Sequence, residues 1–469
     1  MSAKTGPGRF RDLSERKYMN ITSYQKKLGA IVIVALIVIG AGAVYLLAGS
    51  DESQAEELGS GLLIYGNANG DLVLDDDDIN IIHDIIDGKK EKSDYPMADA
   101  NRDGKINNED IAVVEALIAG NETTVFVKCL DSDGAVIVVE VSYPMKNVVP
   151  FGTNIVEPFL YVGGGEYVAG YFSSTYPNQE ASMTGAVDLE GSSRDITDKA
   201  WRNFMNLDAD LQDEGGVGAL LIDHSAKSFS ESRLNDLSAA NIPVIRYASA
   251  DQVQEISTAL TLGFLCGKTT EAMGLSYAES SLEIYNEIQD KVKALNDDER
   301  KTVINFTMWI FVCQNDSTFN QSPEYVGAVP YYKTNSAFAT DYAGNTSTKM
   351  GGVEALANYD DADYLISNRS LDIGQTDMDG LIVEQWEKNM QYFENLDNYH
   401  NLVYVNNILP GSLRLAYMAA AIYPDLFTKE WADGYLQAFI NAGYTPLVGQ
   451  TLETICTSFG YEDYIAAKG

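Results

Sequence analysis

Basic residues are scarce in this chain once its first fifty positions are passed. Seven of the 32 Lys and Arg lie in residues 1–50, which leaves 25 against 66 Asp and Glu and a net charge of −41 for the remainder. Such a surface repels phosphate backbones, so nucleic acid is excluded as a partner and calcium and other cations are favoured. Proline is sparse too, 12 in 469 residues, and with 45% hydrophobic and 10% aromatic content the chain is folded along most of its length. At roughly 100–200 residues per domain it holds two or three folded units. Its four cysteines, Cys129, Cys266, Cys313 and Cys456, include no C-x-x-C pair, so zinc and iron–sulfur sites are not indicated. Either all four are buried thiols or two of them form one disulfide. The three histidines, His83, His224 and His400, share no metal-ligand spacing. No G-x-S-x-G elbow, Walker A loop or His/Glu metalloenzyme cluster occurs, which argues against an enzyme.

One long apolar run is present. Gly29 to Gly49 is 21 residues without a charge, about 31 Å as a helix, the thickness of one hydrocarbon core. A cleaved leader would carry an apolar stretch of only about 7–15 residues. Lys4, Arg9, Arg11, Arg16, Lys17, Lys26 and Lys27 precede the run, and Asp51, Glu52, Glu56 and Glu57 come after it. The positive-inside rule then predicts a cytoplasmic segment at 1–28, a single-pass anchor at 29–49, and an extracellular remainder beginning with an acidic linker at 50–60. On an exported chain the sequons at Asn121, Asn305, Asn315, Asn320, Asn345 and Asn368 permit glycosylation.

Residues 67–78 (NANGDLVLDDDD) and 99–110 (DANRDGKINNED) repeat one plan at an offset of 32. Side-chain oxygens stand at loop positions 1, 3, 5, 9 and 12: Asn67, Asn69, Asp71, Asp75 and Asp78, then Asp99, Asn101, Asp103, Asn107 and Asp110. Backbone carbonyls at position 7, Val73 and Lys105, complete the oxygen set a hard cation such as Ca2+ requires. Leu74 and Ile106 pin the loops, and Ile79, Ile82, Ile85, Ile86 and Ile111, Val114, Leu117, Ile118 continue each as a helix with one apolar face. Leu72 occupies the position where glycine supplies φ > 0, so the first loop is expected to carry about 1–2 kcal/mol of strain there. The duplicated unit, 61–121, resembles a type I dockerin, an all-α pair of calcium loop-helix repeats. That resemblance implies a cohesin partner, met through Asp76, Asp77, Asn108 and Glu109; a calcium-stiffened spacer is the competing role.

Beyond residue 121, TTVFVKCLDSDGAVIVVEVSY reads as a hairpin around Asp131–Gly134, and short apolar strands then alternate with helices. The strands are YVAGY near 167, GALLIDHSA from 218, IPVIRYA from 242, VINFTMWIFVCQ from 303 and ADYLIS from 362. From Thr269 to about Leu295 a helix carries Leu282, Tyr285, Ile288, Val292 and Leu295 on one face. The order of these landmarks, with PFGTNIVEPFLYVGGGEYVAGYF and YVNNILPGSLRLAYMAAAIYPDLFTKEWAD, resembles the iron-siderophore, haem and cobalamin binding proteins of ABC importers. That resemblance implies an α/β fold of two Rossmann-like lobes, 122–268 and 298–469, joined by a backbone helix at 269–297. In it, Gly263 and Gly267 allow close packing before the connector.

The same resemblance implies a small-molecule iron complex or tetrapyrrole bound between the lobes and an ABC permease as partner. Strand-end loops then form the cleft: Phe151–Ile155, Ser173–Tyr176, Asp223–Ala226, Tyr247–Ala250, Tyr331–Tyr342 and Ser367–Arg369. Tyr247, Tyr331, Tyr332 and Tyr342 are candidates to stack on a macrocycle or give a phenolate to iron, Arg369 to meet an acidic ligand, and His224 to bind a metal. Glu190 and Asp195 are the candidates for permease docking in the first lobe. The alternative from another class is a cell-surface adhesion protein assembled through dockerin–cohesin contacts; a chelatase-like enzyme rests on fold analogy alone.

Overall fold

The central strands of each lobe are buried on both faces. In the computed structural model, residues 58, 61–172, 182–191, 196–223, 229–249, 251–307, 311–313, 318–341, 347–349, 358–393 and 396–469 are described. The predicted anchor at 29–49 lies outside them, and among the described residues no helix is long and apolar enough to cross a membrane.

The duplicated loops lead into α1 (Asp76–Ile86) and α2 (Asn108–Ile118). Each helix starts on a reciprocal capping box: Asp75 with Asp78 in the first, Asn107 with Asp110 in the second, so that N-cap and third-residue side chains satisfy the amides a helix start leaves open. A hairpin comes next, β1 (Thr123–Leu130) antiparallel to β2 (Val136–Tyr143). Segment 62–66 adds to its free edge: Ile64 bridges Val127, Tyr65 N–H donates to Phe126 O (2.8 Å) and Lys128 N–H to Leu63 O (2.9 Å). One apolar core therefore runs from Leu62, Leu74, Ile82 and Val114 through Val125 and Val127 to Leu260, Phe264 and Leu282. The loop-helix pair has no core closed off from the first lobe.

The first lobe holds β3 (Val148–Phe151), α3 (Thr153–Tyr161), the short parallel pair β4 (Gly170–Tyr171) and β5 (Val187–Asp188), α4 (Asp198–Asp210), β6 (Ala219–Asp223), α5 (Glu231–Ala239), β7 (Val244–Tyr247) and α6 (Gln252–Leu265). Its central sheet is parallel in the order β3-β6-β7. Alternate residues supply opposite faces: Val148, Leu221, Ile245 and Tyr247 pack toward the hairpin side, Val149, Phe151, Leu220 and Ile222 toward α4. Burial on both faces is why these strands read as unbroken apolar runs.

The connector is α7 (Lys268–Val292), 25 residues and about 37 Å long. Leu282, Tyr285, Ile288 and Val292 are buried as the spacing predicts, whereas Leu295 falls after the helix end. Gly263 and Gly267 differ in role. A Cβ on Gly263 would lie 2.7 Å from Thr270 O and 3.2 Å from Gly274 Cα, so glycine is what lets α6 and α7 touch backbone to backbone. Gly267 supplies the turn between them at φ +110°. Gly263→Ala is expected to lower unfolding stability by about 1–3 kcal/mol through overpacking, read as a shifted urea midpoint with unchanged slope.

The second lobe holds β8 (Thr302–Thr307), β9 (Phe311–Cys313), α8 (Gln321–Tyr325), β10 (Val329–Pro330), α9 (Ser336–Asp341), β11 (Ser347–Lys349), β12 (Tyr364–Arg369), α10 (Met378–Phe393), β13 (Leu402–Asn406), α11 (Gly411–Ile422), α12 (Lys429–Ala442), β14 (Ser458–Phe459) and α13 (Tyr461–Lys468). Its sheet runs β11-β9-β8-β12-β13-β14, with β10 sharing the β8 edge; β8, β12 and β13 are parallel at its centre. The apolar run from Val303, read as one strand, is two: β9 turns back antiparallel on β8 with Thr307 opposite Phe311.

All four cysteines are free and buried. Burial pushes the Cys129 thiol up to about 11 and Cys456 to about 12, and drives Cys266 higher still. Because the thiolate is the nucleophile, native protein is expected to stay unlabelled by a thiol reagent at pH 8, and four thiols should titrate in guanidinium without reductant; two would indicate a disulfide. Asn305, Asn320 and Asn368 are buried, so their sequons cannot carry a glycan in the folded chain; Asn121 is exposed. Asn315 and Asn345 lie outside the described residues.

Candidate functional site

Two regions collect functional side chains. The first is the loop pair. Each loop is built from side chains that accept the amide two residues on: Asn69 from Asp71, Asp71 from Val73 and Asp75 from Asp77; Asn101 from Asp103, Asp103 from Lys105 and Asn107 from Glu109. Asp78 takes amides from Asn69 and Asp75, and Asp110 those of Asn101 and Asn107. The strain expected at Leu72 does not arise. Positive φ is placed instead at Gly70 (+71°), and in the second loop at Arg102 (+54°) and Gly104 (+89°), so Leu72 turns its side chain into the core without entering the left-handed region.

Position 1 of each loop is left wanting a partner. Asn67 is fully buried, and its Nδ2 donates to Leu62 O (2.8 Å) and Asp71 O (2.9 Å), which fixes the amide orientation and leaves Oδ1 with no donor. Asp99 Oδ2 accepts from Gly104 N–H (3.0 Å), while its buried Oδ1 has none. An unpaired buried acceptor costs about 1–3 kcal/mol, a cost that a cation at the loop centre would remove. Burial, added to by the charges of Asp71 and Asp75, raises the Asp78 carboxyl to about 7 against the pull of two amides, and burial also raises Asp71, Asp75 and Asp110. Among the described residues, no three His, Cys, Asp or Glu side chains converge closely enough to hold a metal alone. The oxygens of Asn67, Asn69, Asn101 and Asn107 and the carbonyls of Val73 and Lys105 are therefore indispensable to any ligand set here.

The second region is the seam where helices that come after the carboxyl ends of strands in the two lobes meet. Asp251, the N-cap of α6, accepts Tyr325 O–H from α8 across the seam (2.7 Å). One turn on, Glu255 receives Gly411 N–H from α11 (2.8 Å), Tyr277 O–H from α7 (2.6 Å) and Arg414 Nη2 (2.8 Å). Arg414 also donates to Asn407 Oδ1 (2.7 Å), and Tyr161 O–H reaches Ile408 O (3.3 Å). Glu255 and Arg414 are both buried. Burial raises the Glu255 carboxyl above its ordinary value, opposed first by Arg414. For Arg414 burial is the largest single influence and opposes the charge, but Glu255, Tyr161, Glu157 and Tyr277 together outweigh it and the pKa rises. Composition gave no notice of this network; its only sign was Glu255 and Arg414 standing within apolar helical runs.

Around the seam, the candidate ligand residues separate. Tyr247 is fully buried and donates to Lys128 O (3.1 Å), so it joins the hairpin to the sheet and cannot stack on a ligand. Tyr331 is also buried: it donates to Asp361, accepts from Asn335 Nδ2 (2.7 Å) and packs edge-on against Phe338 and Tyr359, so it is core rather than cleft wall. Tyr332 is half-buried. Arg369 is half-buried at the end of β12 and donates through Nε to Gln385 Oε1 (3.2 Å). His224, Tyr342 and Asp195 lie outside the described residues, as do 173–176, 224–226 and 250 of the expected cleft loops. Glu190 is exposed and paired with Lys199. Asp223, at the end of β6, is buried and accepts Ser249 O–H (3.1 Å). A cavity of ≈ 210 Å³ lies elsewhere, in the second lobe beside Tyr417, Lys429, Phe459 and Asp463. It is smaller than the roughly 300–1,000 Å³ typical of small-molecule sites.

No family model matches the chain, and no curated protein matches it in sequence. Among solved structures, the TroA-like periplasmic binding protein FepB from Veillonella parvula aligns over 71% of this chain and 99% of its own, with a TM-score of 0.51 and 12% identity. A periplasmic haem-binding protein from Pseudomonas aeruginosa aligns over 60% and 93% (TM-score 0.40, 15% identity). CeuE of Helicobacter pylori aligns over 68% and 95% (TM-score 0.46, 10% identity). The described chain thus has the mixed α/β fold of the TroA-like binding proteins, two lobes on a helical backbone.

Proposed function

We propose that this protein is a solute-binding receptor, anchored by its N-terminal apolar run outside the membrane, that captures an iron complex, haem or corrinoid and hands it unaltered to an ABC permease. The observation that carries the reading is two lobes with parallel strands at their centres, held on one 25-residue helix and joined at a seam by the helices that follow β7 and β13, in a chain that aligns with the whole of a TroA-like binding protein. A rigid connector limits hinge motion, which suits a receptor whose two halves must present a bound solute to a partner in fixed register. Ca2+ in the 67–78 and 99–110 loops is the second element. The orphaned oxygens of Asn67 and Asp99 support it. A cohesin-like partner would meet the loop-helix pair independently of solute capture.

The test is titration of the calcium-loaded chain with haemin, a ferric siderophore and cobalamin, monitored by quenching of tryptophan emission. Saturable one-to-one quenching by one class supports the reading. Absence of saturation with all three counts against it.

A further inference from the structure

We infer that the first cation loop is a structural part of the solute-binding lobe, so that calcium binding there and the folding of that lobe are one cooperative event. This rests on the calcium reading above and goes beyond it, because a docking module on a linker would bind its ions independently of the neighbouring lobe. The loop is wired into the lobe at its first ligand. Asn67 Nδ2 holds Leu62 O and Asp71 O, and Leu62 N–H donates to Asp71 O (2.8 Å), so the loop backbone and the start of segment 62–66 are one hydrogen-bonded unit. Gly61 is pressed onto the same loop: a Cβ there would sit 2.2 Å from Gly70 O and 2.6 Å from Asp71 O.

From that segment, bonds lead directly into the lobe. Leu63 N–H donates to Thr261 Oγ1 of α6 (3.1 Å, buried), and Leu63 O accepts Lys128 N–H of β1. Lys128 O in turn accepts the buried Tyr247 hydroxyl of β7. Helix α6 is the element whose Asp251 and Glu255 cross to the second lobe. Leu62, Leu63 and Ile64 lie in the same apolar core as Val127, Tyr247 and Leu260. Releasing the loop therefore frees a strand edge, two buried bonds and part of that core together. Nothing in this path requires the second loop's ligands.

Hydrogen–deuterium exchange on the full chain in detergent tests this. A ligand that binds only the folded state slows exchange through unfolding by 1 + [Ca2+]/Kd, about a hundred-fold at one hundred times Kd. With calcium, amides of 123–130, 244–247 and 252–265 should exchange tens of times more slowly than in chelator. Asp71→Asn, which keeps the loop's shape, and Asp78→Ala should each lose most of that protection with calcium present. If the wild type binds calcium, counted by native mass spectrometry, and only 67–78 changes, the inference is overturned and the calcium reading stands. If no calcium binds at 1 mM, both fall.

Discussion

Arg414→Ala is expected to cost the fold about 3–5 kcal/mol, a large share of the roughly 5–15 kcal/mol that holds an ordinary domain together. The reason is what it leaves behind. Glu255 stays buried between α6, α7 and α11 with two neutral donors, Tyr277 O–H and Gly411 N–H, and no cation. Glu255→Met with Arg414→Met should recover only part of the loss, because those two donors are then orphaned in turn. The effect has a defined pH sign. Burial already places the Glu255 carboxyl above 4.5, and loss of Arg414 removes the strongest opposing influence. A carboxyl whose folded pKa exceeds its unfolded value binds its proton more readily when folded, so stability falls as pH rises through that window. The Arg414→Ala deficit should thus be smaller at pH 5 than at pH 8, measured by urea unfolding. A deficit under 1 kcal/mol, or one independent of pH, would mean the pair does not bind the lobes together.

The second large effect concerns the loops. Native mass spectrometry of the chain in 1 mM calcium should count two ions, and Asp78→Ala and Asp110→Ala should each remove one. Both carboxylates are buried and fixed by two backbone amides, so no neighbouring side chain can swing in to replace them. An unchanged count in either variant would place the ion elsewhere.

How much of this was legible beforehand depended on what kind of signal a feature leaves. The connector helix declared itself because Leu282, Tyr285, Ile288 and Val292 repeat at helical spacing. The strands at 219–223 and 244–247 did so because burial on both faces makes a strand uniformly apolar. The same uniformity concealed the β8–β9 reversal, since an apolar run carries no mark of where it turns back. The alternating oxygens at 67–78 and 99–110 were plain, yet their attachment was not. Pairing of 62–66 with β1 is a contact between segments about sixty residues apart, and no local pattern encodes it. The tyrosines misled for a similar reason: Tyr247 and Tyr331 have polar tips that suit a ligand wall, and only tertiary structure shows Lys128 O and Asp361 already taking them.

A solute held, unmodified, between the lobes is the proposition on which the receptor role depends, and native mass spectrometry of chain purified from its own membrane reads it most directly. The predicted spectrum shows the protein mass plus its calcium ions and one further mass of an iron complex, haem or corrinoid, released intact on denaturation. A spectrum of protein and calcium alone, unchanged after incubation with haemin, a ferric siderophore and cobalamin, would contradict that role.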